Sequence, residues 1–146
     1  MGKIIAVCIS PRRGTVKNAV VQAKIIPNFG LENDAHAGTW YRQISLLANE
    51  AVRAFSNEYK LNLAAGAFGE NLLVEGIDLK HLPIGTKLKC SADILLEVTQ
   101  IGKTCHLGCD IQKRTGKCIM PHEGIFARVL NGGTVQPGDI ITVLPA

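Results

Sequence analysis

The chain is short of charge, of aromatic rings and of long apolar runs. Charged residues make up 19% of it and aromatics 5%, while hydrophobic residues reach 47%. That balance argues against intrinsic disorder, which needs high charge and few apolar residues. No stretch approaches the roughly 20 apolar residues of a membrane helix. The apolar run Ile4 to Ile9 is too short for a secretory signal and meets Pro11-Arg12-Arg13 instead of a small-residue cleavage site. Gly2 is present, but residue six is Ala, so the myristoylation pattern fails. No phosphate-binding GxxxxGK[ST], dinucleotide glycine fingerprint, nucleophile elbow or paired-carboxylate glycosidase site occurs. These absences exclude several enzyme classes and predict a cytoplasmic protein with no membrane partner.

The net charge of +4 is mild. The basic residues form no stripe and do not interleave with aromatics, which argues against nucleic acid as a partner. Lys103, Lys113, Arg114, Lys117 and Arg128 do share one stretch with only two acids, Asp110 and Glu123. The stretch is either a solvated surface or a local attraction for a small anion.

At 146 residues the chain predicts a single domain, 1–146, with enough core to fold without staples. No linker, low-complexity tract or repeat divides it. Fifteen glycines with so few rings predict many turns and little helix. Strand patterns dominate. They cover Lys3 to Ile9, an alternation of Val21, Ala23 and Ile25, Gln43 to Leu47, Glu70 to Val74, Lys87 to Cys90, Ile94 to Thr99 and Ile140 to Leu144. Leu82-Pro83-Ile84-Gly85 and Gln136-Pro137-Gly138-Asp139 read as turns. One helix is expected from Asn49 to Tyr59, capped by Asn49, with Ala51, Ala54, Phe55 and Tyr59 on its apolar face. Many short strands with little helix indicate a barrel or a sandwich.

Five cysteines, an odd number, speak against a disulfide framework. Cys8 and Cys90 lie in apolar, strand-like surroundings and read as buried core thiols. Cys105 is different: a strand ending at Val98-Thr99 runs into a loop that presents it beside Lys103 and His106, with Gly102 and Gly108 leaving room. A neighbouring cation lowers a thiol pKa, and the thiolate is both nucleophile and metal ligand. A second reading makes Cys105, Cys109, Cys118 and His122 four ligands of a structural zinc, although zinc modules favour Cys-x2-Cys pairs over the Cys-x3-Cys found here.

Two further segments hold polar residues with chemical potential. Asn33-Asp34-Ala35-His36-Ala37-Gly38 followed by Tyr41-Arg42 places a carboxylate, an imidazole and a guanidinium within nine residues. Asp34 could orient His36 and Arg42 could hold an anion; alternatively, the segment is an ordered turn whose Asp and His satisfy backbone groups. In Gly124 to Gly133, Arg128 is the one charge of an apolar run and faces either solvent or an anion, and Asn131-Gly132-Gly133 offers positive-φ turn conformations.

Taken together, Asp34-Ala35-His36-Ala37-Gly38, Arg42 to Leu47, Phe68-Gly69-Glu70-Asn71-Leu72, the segment ending in Cys105, and Gly124 to Leu130 with Gly138-Asp139 resemble the MOSC family, named for the C-terminal domain of molybdenum cofactor sulfurases. The likeness spans nearly the whole chain and is to the small, stand-alone bacterial type. One departure is Asn33, where the family usually has Gly; Asn tolerates a left-handed backbone.

The resemblance implies a mainly β fold, a closed or nearly closed barrel of the MOSC, pyruvate-kinase-barrel-like kind, with one or two short helices. It implies that Cys105 binds molybdenum or carries sulfur as a persulfide, with Cys109 and Cys118 as secondary candidates. It implies molybdenum cofactor (molybdopterin), held by Asp34, His36, Arg42, Lys103, His106 and Arg128, and a sulfur-donor protein such as a cysteine desulfurase as partner. Pyridoxal phosphate belongs to the desulfurase part of sulfurases and is not expected to bind this domain. Some relatives reduce N-hydroxylated compounds at molybdenum, but they carry an additional N-terminal region for which this chain has no room.

Overall fold

A computed structural model of the chain describes residues 1–12, 16–102 and 124–145. Eleven strands, one α-helix and one 3-10 turn occur among them: β1 (Gly2–Ile9), β2 (Asn18–Val20), β3 (Ala23–Ile26), β4 (Gly30–Leu31), β5 (Ile44–Ala48), α1 (Asn49–Tyr59), β6 (Leu72–Glu75), the 3-10 turn Leu79–His81, β7 (Lys87–Cys90), β8 (Ile94–Ile101), β9 (Ile125–Asn131), β10 (Gly133–Val135) and β11 (Ile140–Val143).

The main sheet runs β11-β7-β8-β9-β5-β6-β1-β2, and β1 also pairs with β11. Seven strands therefore close into a barrel, with β2 hanging from β1. All barrel pairings are antiparallel except β5 with β6. Parallel neighbours need a long crossover, usually through a helix, and α1 supplies it. A smaller sheet, β10-β3-β4, lies beside the barrel.

The strands bury apolar residues on both faces where the helix covers them. Inside the barrel lie Ile4, Val7, Ile44, Leu46, Leu72, Leu88, Leu96, Val98, Ile125, Ala127 and Val129. Outside it, Val52 and Phe55 of α1 form a second cluster with Ala6, Cys8, Leu47, Phe68, Leu73 and Phe126. This explains why β5 is buried along nearly its whole length, with Leu46 turned inward and Leu47 outward, as a strand covered on both sides must be. On β1, a register shift between Ile4 and Ala6 puts Ile5 and Ala6 on the outer side together and returns Val7 to the interior.

Four local expectations change. Helix α1 spans Asn49–Tyr59 as predicted, but Ala48 occupies the cap position without a side-chain bond and Asn49 is the first helical residue. Its buried stripe is Asn49, Val52 and Phe55, while Ala54 is exposed. Val21 is 86% exposed, because the chain turns between β2 and β3 there and the predicted alternation is broken. Asn131, Gly132 and Gly133 adopt no positive φ. Gly132 is needed for a different reason: a Cβ there would stand 2.3 Å from the Ile25 carbonyl oxygen.

Candidate functional site

Asp34 sits at the centre of a buried polar network. Its side chain is fully covered, and its Oδ1 lies 2.7 Å from the Lys17 ammonium. The same oxygen accepts the Ser10 backbone N–H, and Oδ2 accepts the Asn71 side-chain amide at 3.1 Å. Lys17 also donates to the Ser10 hydroxyl at 3.2 Å. Asn71 extends the network: it donates to the Cys8 carbonyl and accepts the Ser45 N–H. One carboxylate thus ties together the end of β1, the residues leading into β2 and the start of β6.

The tie fixes the loop that follows. Asn33 precedes Asp34 with φ 67°, the left-handed conformation that Asn accepts in place of Gly. The Ala35 N–H donates to the Ser10 carbonyl, and the Gly38 N–H to the Phe29 carbonyl. Asp34 is committed to Lys17, Ser10 and Asn71, so it works beneath the loop and not on its surface.

Above this base, His36 and Arg42 meet over β9. The His36 ring lies 6.1 Å from Phe126, nearly parallel to it, and 4.9 Å from Trp40. The Trp40 indole N–H donates to the His36 carbonyl. The Arg42 guanidinium stands 4.5 Å from the Trp40 ring centre, 5.5 Å from Phe126 and 5.7 Å from Tyr41. Its Nε is buried with no hydrogen-bond partner among the described residues. Gln43 anchors this stretch: its amide donates to Asn28 Oδ1 at 3.0 Å and accepts the Val129 N–H at 2.9 Å. The Thr99 hydroxyl donates to the Tyr41 carbonyl.

Of the two orientations open to Arg128, the outward one is present. It shares the outer face of β9 with Phe126, one pleat further along, and pairs with Glu97 at 2.6 Å. Lys87 approaches the same carboxylate from β7 at 3.9 Å. Cys105, Lys103, His106, Cys109, Cys118 and His122 lie outside the described residues. The residues flanking that stretch are in place: the Gly102 N–H donates to the Gly124 carbonyl at 2.6 Å, and Gln100 and Ile101 pair with Phe126 and Ile125. Gly102 and Gly124, which flank residues 103–123, therefore lie near Phe126, the ring against which His36 and Arg42 pack.

Two participants carry no signal in the sequence. Lys17 is one lysine among many, and nothing local marks it for burial. Trp40 belongs to no motif. Phe126 lies in the motif Gly124 to Leu130, but its role as the base for His36 and Arg42 appears only in space. Glu70 belongs to a recognised motif, but its task appears only in space: its carboxylate accepts the Gly66 and Phe68 N–H groups at 2.8 and 3.1 Å. A Cβ on Gly66 would stand 2.1 Å from the Lys17 carbonyl oxygen. Glu70 is 1% exposed, and burial pushes its pKa up against the opposing backbone bonds and the Lys17 charge. Burial likewise drives the Cys8 and Cys90 thiols up to about 12. Among the described residues no cluster of His, Cys, Asp and Glu could hold a metal ion. An open cleft beside α1, lined by Glu50, Gly76 and Asp78, includes none of the residues around Asp34 or Arg42.

The MOSC domain model matches residues 33–142, which hold Asp34, His36, Arg42, Cys105 and Phe126. The chain belongs to the MOSC family. Among solved structures, YuaD protein from Bacillus subtilis superposes with a TM-score of 0.80 at 20% identity, over 97% of this chain and 94% of that one. YiiM from Geobacillus stearothermophilus gives 0.75 at 19% identity, over 99% and 76%. YiiM from Escherichia coli gives 0.70 at 20% identity, over 100% and 71%. At such identity these likenesses establish the shared barrel fold and nothing further. A search of curated proteins finds no match. Among the described residues, no helix of this MOSC protein is long and apolar enough to cross a membrane.

Proposed function

We propose that this MOSC protein binds molybdenum cofactor, or carries sulfur as a persulfide on Cys105, in the maturation of metal–sulfur cofactors. The family is associated with molybdenum cofactor. The observation that carries the reading is the placing of the half-buried Arg42 cation and His36 on Phe126, near Gly102 and Gly124, the residues that flank the segment 103–123. Arg42 Nε lacks an acceptor, which fits a ligand ending in phosphate or an oxo group. A soft thiolate suits molybdenum or sulfane sulfur. The bound cofactor would supply a metal centre able to exchange oxygen or sulfur.

In the carrier role, the Cys105 thiolate attacks the terminal sulfur of a donor persulfide. The donor's S–S bond breaks, the donor leaves as a thiolate, and Cys105 retains the sulfur with its proton. No external oxidant is needed. A cysteine desulfurase is the expected class of donor.

Protein purified from a molybdenum-replete host tests both roles. Metal and pterin analysis should find the cofactor, or intact-protein mass should show one added sulfur atom that a reductant removes. Cys105→Ser should lose that loading and keep the wild-type melting temperature. Normal loading in Cys105→Ser with loss in Cys118→Ser would move the role to Cys118.

A further inference from the structure

We infer that Arg42 is an oxyanion receptor, a guanidinium gripped by Trp40, Tyr41 and Phe126 whose N–H edge takes a phosphate- or molybdate-like group. The inference deepens the function proposed above and rests on it for what the oxyanion belongs to.

Among the described residues, carboxylates engage other cations of the chain but not Arg42. Arg53 lies beside Glu75, Arg128 beside Glu97 and Lys17 beside Asp34. Arg42 has no carboxylate within 4 Å among the described residues, and Asp34 and Glu97 are already engaged. Its contacts are three aromatic rings at 4.5, 5.5 and 5.7 Å. Rings satisfy the face of a guanidinium through their quadrupole. They do nothing for its N–H groups, which lie in the guanidinium plane and need acceptors there. The buried Nε has none.

A flat cation flanked by rings, with no acceptor for its buried Nε–H among the described residues, matches a planar pair of oxygens, the bidentate geometry of Arg with phosphate. Arg128 stands one pleat from Phe126 on the same face of β9, but Glu97 already meets its charge, which leaves Arg42 as the cation offered to a ligand. The competing explanation is that Arg42 is a staple, stacked only to pin residues 39–42 on β9. A staple would be indifferent to added anions.

Trp40 reports on the site directly, because it is the single tryptophan of the chain and touches Arg42. Its emission is followed as the whole protein is titrated with inorganic phosphate, molybdate or phenyl phosphate, with sodium chloride at matched ionic strength as control. Saturable changes with the oxyanions and none with chloride are expected. Arg42→Gln should weaken binding by about tenfold or more, since a charged hydrogen-bond donor is removed. Arg42→Lys should fall between, because a point charge replaces the fork.

Phenyl phosphate binding tighter than inorganic phosphate would show that the aromatic shelf accepts a ring joined to the anion, as in an organic cofactor; equal affinities would mark a site for the free oxyanion. Both outcomes support the receptor. No saturable response, or a response unchanged in Arg42→Gln, overturns it. If Arg42→Gln loses its far-ultraviolet circular dichroism signal, Arg42→Lys decides, and wild-type affinity there overturns the inference. Loss of Cys105 loading with oxyanion binding intact refutes only the proposed function, and the reverse result refutes only this inference.

Discussion

Replacing Asp34 by Ala should be among the most damaging single changes in the described part of the barrel. The substitution removes the acceptor for Lys17, for the Ser10 N–H and for the Asn71 amide together. Lys17 is 5% exposed and keeps only the Ser10 hydroxyl among its described partners. Breaking a buried pair by deleting one partner costs about 3–5 kcal/mol, because the remaining charge stays buried and uncompensated. Against a total stability of about 5–15 kcal/mol, that is at least about a fifth of what holds the fold. An unfolding entropy of about 2 cal/mol/K per residue turns the loss into a fall of roughly 10–15 °C in melting temperature. Lys17→Met should cost less, since Asp34 would retain two hydrogen-bond donors. The double variant Asp34→Ala/Lys17→Met should recover part of the loss, because no stranded charge remains. Urea unfolding gives the free energies, with an unchanged m-value confirming the same two-state transition. A penalty below about 1 kcal/mol for Asp34→Ala, or a double variant as damaged as the sum of the singles, would show that the network does not hold the loop.

Three further outcomes follow from the buried groups. Glu70 has its folded pKa raised from the ordinary 4.5, so its contribution to stability is fully present below about pH 4.5 and is lost as pH rises through the raised value. Glu70→Gln should flatten that part of the stability–pH curve while costing about 1–3 kcal/mol, because one of the two backbone N–H groups then faces an amide NH2; an unchanged curve would contradict the assignment. Cys8 and Cys90, at about 12, hold roughly one part in 10⁵ as thiolate at neutral pH, so limiting iodoacetamide followed by peptide mapping should label Cys105 first and these two only after denaturation. A chelator should leave the circular dichroism spectrum unchanged, since the described cores are built from aliphatic and aromatic side chains; unfolding on chelation would favour the zinc reading of Cys105, Cys109, Cys118 and His122.

What was legible in the sequence followed the reach of each signal. The alternation of Lys87 to Cys90 survives in the barrel because one face of β7 meets water and the other meets Val98 and Leu96 in the core. The helix was legible because its length and polarity differ from the strands around it. Its covered face was not, since which turn meets the sheet depends on where β6 returns. The Val21 alternation misled for a similar reason: a run of three apolar residues cannot show that the chain bends inside it.

The site was legible only where a residue is scarce. Cys105, Asp34, His36 and Arg42 stand out in the sequence as polar groups among apolar ones, and three of the four lie among the described residues. Their division of labour was hidden, because it depends on contacts between distant segments. Lys17 stands 17 residues before its carboxylate, and Asn71 stands 37 after it. Spacing along the chain suggested that Asp34 orients His36. In space, Asp34 faces Lys17, Ser10 and Asn71, and His36 takes its place from Phe126 and Trp40. The carboxylate that looked like chemistry holds the loop, and the guanidinium left without a carboxylate among the described residues is the group we propose meets a ligand.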